Sequence, residues 1–136
     1  MGRKQAREGA MQLLFQIDSN GEYEDGVIEQ FLENFQFDGS EAEYISNTVS
    51  GVMVKKDGID EFIIKQLEGW SISRLAKVDL ATLRLAVYEI LYRDDIPVEV
   101  SINEAIELVK KFSSDESYKY VNGVLGGFVR TLEKNE

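Results

Sequence analysis

Residues 80–92, LATLRLAVYEILY, constrain the fold more than any other stretch of the chain. At helical spacing Leu80, Leu83, Val87, Ile90 and Leu91 share one side, and Leu85, Tyr88 and Tyr92 share another. Only Asp79, Thr82, Ala86, Glu89 and Arg93 make a narrow small-or-polar stripe. A helix apolar over most of its circumference is buried among other helices rather than laid on a surface. The remaining elements are therefore expected to pack around this one.

Periodicity supplies those elements. Residues 4–19 read as a first helix with Ala6, Ala10, Leu13 and Ile17 on its buried face. Lys4, Glu8, Met11 and Phe15 fall on a different face. An aromatic beside basic residues can stack a nucleobase, or it can pack on a neighbouring helix, and spacing leaves both open. Asn20-Gly21 reads as a turn, and a second helix is expected over 24–36 with Val27, Ile28, Phe31, Leu32 and Phe35 as its stripe. Ser40 and Glu43 have capping-box spacing for a third helix reaching about Lys56. A short fourth helix is expected over 58–68, stopping at Gly69, with Trp70 packing at the hinge into the central helix.

Pro97, the single proline, makes Ile96-Pro97-Val98 an extended crossing. Ser101 and Glu104 then form a second capping box for a sixth helix with Ile102, Ala105, Ile106, Val109 and Phe112 inward. Lys110 and Lys111 suit the last turn of that helix through its dipole, and phosphate binding stays open for both. Ser113 and Glu116 repeat the capping spacing before a last helix that buries Val121, Val124, Leu125, Phe128, Val129 and Leu132. Gly123, Gly126 and Gly127 inside it each cost about 1 kcal/mol relative to alanine, so close approach to another helix is expected there. No stretch alternates as a strand would. The expected class is all-α, in one domain over 1–136.

With no cysteine and no histidine, thiolate, imidazole and ordinary zinc chemistry are excluded. No catalytic constellation and no phosphate-cradling glycine-rich loop appears, so neither a cofactor nor a metal is expected. No apolar run reaches the roughly 18–20 residues of a membrane span and no secretory pattern opens the chain, which leads to an expected cytoplasmic location. The net charge is −10, and residues 18–61 account for it with twelve acids against two lysines. The first seven residues hold Arg3, Lys4 and Arg7 and no acid. A basic tip and an acidic flank describe either a polarised binding surface or merely a solvated face with a tail.

Four groups of residues carry a resemblance to the NusB family of bacterial transcription antitermination factors. They are Ala6-Arg7-Glu8 with Leu13-Leu14-Phe15-Gln16, and Leu83-Arg84-Leu85-Ala86 with Tyr88-Glu89. Ile96-Pro97 with Ile102-Asn103-Glu104-Ala105-Ile106-Glu107-Leu108, and Lys119-Tyr120-Val121-Asn122-Gly123-Val124-Leu125, complete the set. The resemblance spans essentially the full length. It implies about seven helices in two packed sub-bundles, roughly 1–57 and 58–136. It also implies a non-enzymatic factor that binds a boxA-type single-stranded RNA jointly with ribosomal protein NusE. Such factors join an antitermination complex on RNA polymerase and suppress premature termination, chiefly on ribosomal RNA operons.

Carried over by position, the resemblance assigns RNA contacts to Arg3, Lys4, Arg7, Phe15, Glu116, Ser117, Lys119 and Tyr120. It puts Asp79 near the RNA and NusE surface. An acid there cannot attract phosphate, so its role would be hydrogen bonding to base amino groups or rejection of wrong sequences. Glu116 as a simple cap and Tyr120 as a packing residue remain open. Some family members self-associate through the RNA-binding surface, which leaves a homodimer open. A related helical domain precedes some RNA cytosine methyltransferases, but no cofactor-binding α/β domain follows Glu136, so methylation by this chain is not expected. The competing reading is a helical adaptor that binds protein through the acidic flank without touching RNA.

Overall fold

The near-continuous apolar character of the central stretch becomes near-continuous burial. In the computed structural model, which describes residues 2–21, 23–24 and 26–134, this stretch lies in a helix spanning Lys77–Tyr92. Every residue from Asp79 to Val87 is buried, and so is Glu89. Numbered along the chain, the helices are α1 (Arg3–Asn20), α2 (Val27–Asn34), α3 (Gly39–Lys65), α4 (Lys77–Tyr92), α5 (Val98–Phe112) and α6 (Asp115–Lys134). A single 3₁₀ turn covers Ile72–Arg74, and no strand occurs among the described residues. Helices α1, α3, α5 and α6 all pack on α4, while α2 lies on α3. The core they enclose includes Leu13, Ile45, Val49, Leu83, Val87, Leu125 and Phe128.

The helix count is six rather than seven among the described residues, because the expected third and fourth helices are one. α3 runs unbroken for 27 residues across 57 and 58. A glycine in a helix interior weakens it by about 1 kcal/mol but does not by itself stop it. Ile59 and Ile63 continue the buried stripe of Val49 and Val52 and hold the second half against the core. The chain turns only at Glu68 and Gly69, both at positive φ. Trp70 beyond them does not pack into the hinge. It is 58% exposed, with the Arg74 guanidinium 5.9 Å from its ring centre.

Helix starts also differ from the expected capping boxes. Asp38, not Ser40, caps α3: its carboxylate accepts from the Glu41 amide at 2.8 Å, and Glu41 accepts from the Asp38 amide at 2.9 Å. α5 begins at Val98, directly after Pro97, whose fixed φ suits a helix entry. Ser101 therefore lies inside α5, where its hydroxyl is free to reach α4. α6 is opened by Ser114, which accepts from the Ser117 amide at 3.1 Å. At α3 and α6 a nearby polar residue with the right offset from the first turn displaced the one expected, whereas α5 starts after Pro97 with no side-chain cap. Of the α6 glycines, only Gly127 is closely approached, by the Gln66 side chain; Gly123 faces open space and Gly126 meets only Arg130 of its own helix.

Two glycines test this account of α3. A Cβ on Gly58 would meet nothing, whereas one on Gly51 would overlap the Tyr88 phenol. Gly58→Ala is expected to stabilise the protein by about 0.5–1 kcal/mol, as for any open helix interior. Gly51→Ala is expected to destabilise it by about 1–3 kcal/mol through overpacking. Urea unfolding of the two variants checks both signs; a neutral or destabilising Gly58→Ala would argue for a break at that position.

Candidate nucleic-acid interface

The basic tip and the candidate aromatics lie at opposite ends of α1, and the neighbouring helices show where each end sits. Arg7 pairs with Glu89 near the end of α4, and Asp18 pairs with Lys77 at its start, so α1 and α4 run antiparallel. Lys4 and Arg7 reach Glu104 and Lys111 reaches Glu8, so α1 and α5 run parallel. The tip thus belongs with the start of α5. Phe15 belongs with the start of α4, where α6 also begins. A rise of 1.5 Å per residue puts Arg3 and Phe15 about 18 Å apart along α1.

At the tip, Arg3 and Lys4 are exposed. The Arg3 guanidinium sits 4.8 Å from the centre of the Tyr44 ring, and Arg93 approaches the same ring at 5.7 Å. Asp95 accepts from Arg93 through both oxygens, at 3.0 and 2.9 Å. That guanidinium holds the Asp95 carboxyl down to about 2. Arg7 departs from its expected role. It is 4% exposed and donates to Glu89 at 2.8 and 3.1 Å. Burial opposes its charge, but the Glu89 carboxylate outweighs that and keeps the guanidinium above its ordinary value. Arg7 therefore ties α1 to α4 in this structure, with its Nε and Nη2 committed to Glu89.

At the other end, Phe15 is 38% and Tyr120 37% exposed, enough for each ring to offer surface to a base. Glu116 and Lys119 are exposed on the first turns of α6. Ser117 is turned inward and donates to Asp79 Oδ2 at 2.8 Å. Asp79 is 6% exposed, and its Oδ1 is buried without a hydrogen-bond partner. Burial pushes the Tyr120 phenol up, and the nearby Asp79 carboxylate adds to the effect. Asp79, Ser117 and Tyr120 thus form one small cluster, while Arg3 and Lys4 form a separate one.

Sequence reasoning missed Tyr44 and Arg93 at the tip. Their involvement arises from contacts between α1, α3 and the end of α4, which no local spacing signals. Glu22 and Asp25 of the acidic stretch lie outside the described residues. Several of its other acids are already committed: Asp18 to Lys77 and Arg84, Asp60 to Arg84, and Asp38 and Glu41 to the α3 cap.

The scaffold is helical, with an exposed basic tip at one end of α1 and exposed aromatic rings at the other. No helix of the structure is long and apolar enough to cross a membrane. The NusB family model matches residues 4–130, and the chain belongs to that family. The family is one of transcription antitermination factors, not enzymes. The transcription antitermination protein NusB of Acetivibrio thermocellus is 45% identical over 130 residues, covering 96% of this chain and 90% of its own. Among solved structures, NusB of T. maritima aligns with a TM-score of 0.87 at 33% identity, over 96% of this chain and 92% of that one. A complex of antitermination factors NusB and NusE with double-stranded RNA aligns with a TM-score of 0.84 at 30% identity, over 95% and 96%.

Asp18 locks the Phe15 end of α1 in place and gives a pH test. Burial alone would raise its carboxyl, but the Lys77 ammonium and the Arg84 guanidinium outweigh burial and hold it below the ordinary 3.8. A carboxyl depressed in the folded state stabilises above its unfolded value and loses that contribution as pH falls through the folded one. Asp18→Asn should therefore lower Tm at pH values above the ordinary carboxylate range and converge with the parent protein as pH falls below that range. Thermal melts across this range check it, and a constant Tm gap would remove Asp18 as the titrating group.

Proposed function

We propose that this antitermination factor binds an unpaired, boxA-type RNA element jointly with a NusE-type ribosomal protein. It would thereby join the RNA polymerase antitermination complex and suppress premature termination, chiefly on ribosomal RNA operons. The observation that carries the reading is the pairing of an exposed cationic tip, Arg3 and Lys4, with exposed aromatic rings, Phe15 and Tyr120, on the same scaffold. Cations neutralise phosphates, whereas aromatic faces hold bases only when those bases are unstacked. Glu116 and Lys119 beside Tyr120 add an acceptor for base amino groups and a further phosphate contact. The NusB–NusE complex with RNA, whose NusB chain matches this fold end to end, supports both partners. That complex holds double-stranded RNA; the exposed rings here favour a single strand.

The test is binding to a boxA-type RNA and to a scrambled RNA of equal length, over a salt series, with and without the NusE partner. The boxA-type RNA should bind more tightly, and NusE should strengthen it. Phe15→Ala and Tyr120→Ala should each weaken binding by about 1–3 kcal/mol, the usual worth of one stacked base. Equal or absent binding of both RNAs with NusE still captured would leave a protein adaptor instead.

A further inference from the structure

Between the basic tip and the aromatic end, α1 and α5 enclose a groove of about 150 Å³ whose walls include Lys4, Glu8, Glu104, Glu107, Leu108 and Lys111. Lys4 stands at one end of it, with its ammonium 3.4 Å from Glu104. Lys111 stands further along, 2.7 Å from Glu8, with its side chain 60% exposed. Glu8 is about 8 Å from Arg3 and about 11 Å from Phe15 along the helix axis. Lys111 therefore puts a positive charge midway along the stretch that separates the two clusters, where α1 itself offers an acid. Three residues beyond Lys111 the chain passes into α6, which carries Lys119 and Tyr120.

From this placement we infer that the α1–α5 groove is the path of the RNA backbone and that Lys111 is its phosphate contact midway. The inference rests on the RNA-binding reading above. Glu8 holds Lys111 in place in the free protein and is displaced by a phosphate when RNA arrives. An exposed lysine–carboxylate pair contributes only about 0–1 kcal/mol, so exchanging one anion for another costs little stability. A compact ammonium on a flexible stem can follow the phosphate without moving the helix. Glu8 and Glu107 then act against binding, since each repels the backbone running between them. That opposition would make the groove's contribution strongly dependent on salt.

A phosphate contact and a plain interhelical salt bridge differ in sign. If Lys111 touches phosphate, Lys111→Gln should weaken binding of the boxA-type RNA about fivefold at 0.1 M salt, and lower the salt slope by about 0.7, the value for one contact on a single strand. Glu8→Gln should move the other way, tightening binding severalfold, and Lys111→Arg should restore affinity and slope. If the pair is only structural, both glutamine variants should shift Tm alike and leave RNA affinity unchanged or weaken it together, which overturns the inference. Arg3→Ala serves as the control for the underlying reading. Loss of affinity in Arg3→Ala without loss in Lys111→Gln sinks the groove path alone. No loss in either removes the basic tip and the groove together from RNA binding.

Discussion

A carboxylate that is 1% exposed is costly to bury unless the fold supplies donors for it. Glu89 receives four: Arg7 Nε and Nη2 from α1, the Tyr44 hydroxyl from α3 and the Ser101 hydroxyl from α5. One side chain on α4 thus joins four helices. The same arrangement pushes the Tyr44 phenol well above its ordinary value, first by burial and then by the adjacent Glu89 charge, so Tyr44 stays a donor throughout the ordinary pH range. A buried polar group of this kind adds less net stability than an apolar replacement of equal volume could. What it adds is alignment, because only one register of the four helices satisfies every member.

Two further ties repeat the device at other points on α4. Arg84 donates to both oxygens of Asp60 on α3 at 2.8 and 2.9 Å and also faces Asp18 on α1. Asp79 takes the Ser117 hydroxyl of α6. Asp79, Arg84 and Glu89 of the central helix are therefore joints, and the candidate RNA surface hangs on them. Arg7 fixes the end of α1 that exposes Arg3 and Lys4. Asp18 fixes the end that exposes Phe15, and Asp79 fixes the turn of α6 that exposes Lys119 and Tyr120. Removing a joint would misplace a contact several residues away from it.

This division of labour explains what was legible in the sequence. The apolar circumference of residues 80–92 identified the helix that all but one of the others pack on, and the inward faces of α1 and α6 followed from their spacing; on α5 the buried face is Ser101, Ala105, Leu108 and Val109, so only Ala105 and Val109 of the expected stripe are fully inside. Periodicity also isolated the stripe of Asp79, Thr82, Ala86 and Glu89, but it reports polarity and not what a polar group faces. The partners of Glu89 lie 82, 45 and 12 residues away in the chain. For the same reason Arg7 looked like one more cation of the tip, although its charge is spent inside. The run Lys55-Lys56-Asp57-Gly58 resembled a helix end because of its charges and its glycine, although Ile59 and Ile63, seven and eleven residues after Val52, keep the helical period of α3. Family resemblance supplied the candidate contacts, and only the packing separates those on the surface, Arg3, Lys4, Phe15, Glu116, Lys119 and Tyr120, from those turned inward, Arg7, Ser117 and Asp79.

The claim that a buried ion pair sets the register of this bundle is tested most directly by a double-mutant cycle on Arg7 and Glu89, followed by equilibrium unfolding. Arg7→Met and Glu89→Met should each cost about 3–5 kcal/mol, because each leaves the opposite buried group without its two-pronged partner. The double replacement should cost far less than their sum, giving a coupling above about 2 kcal/mol. Additivity of the two within about 0.5 kcal/mol would contradict the account, since independent residues cannot be the joint on which four helices align.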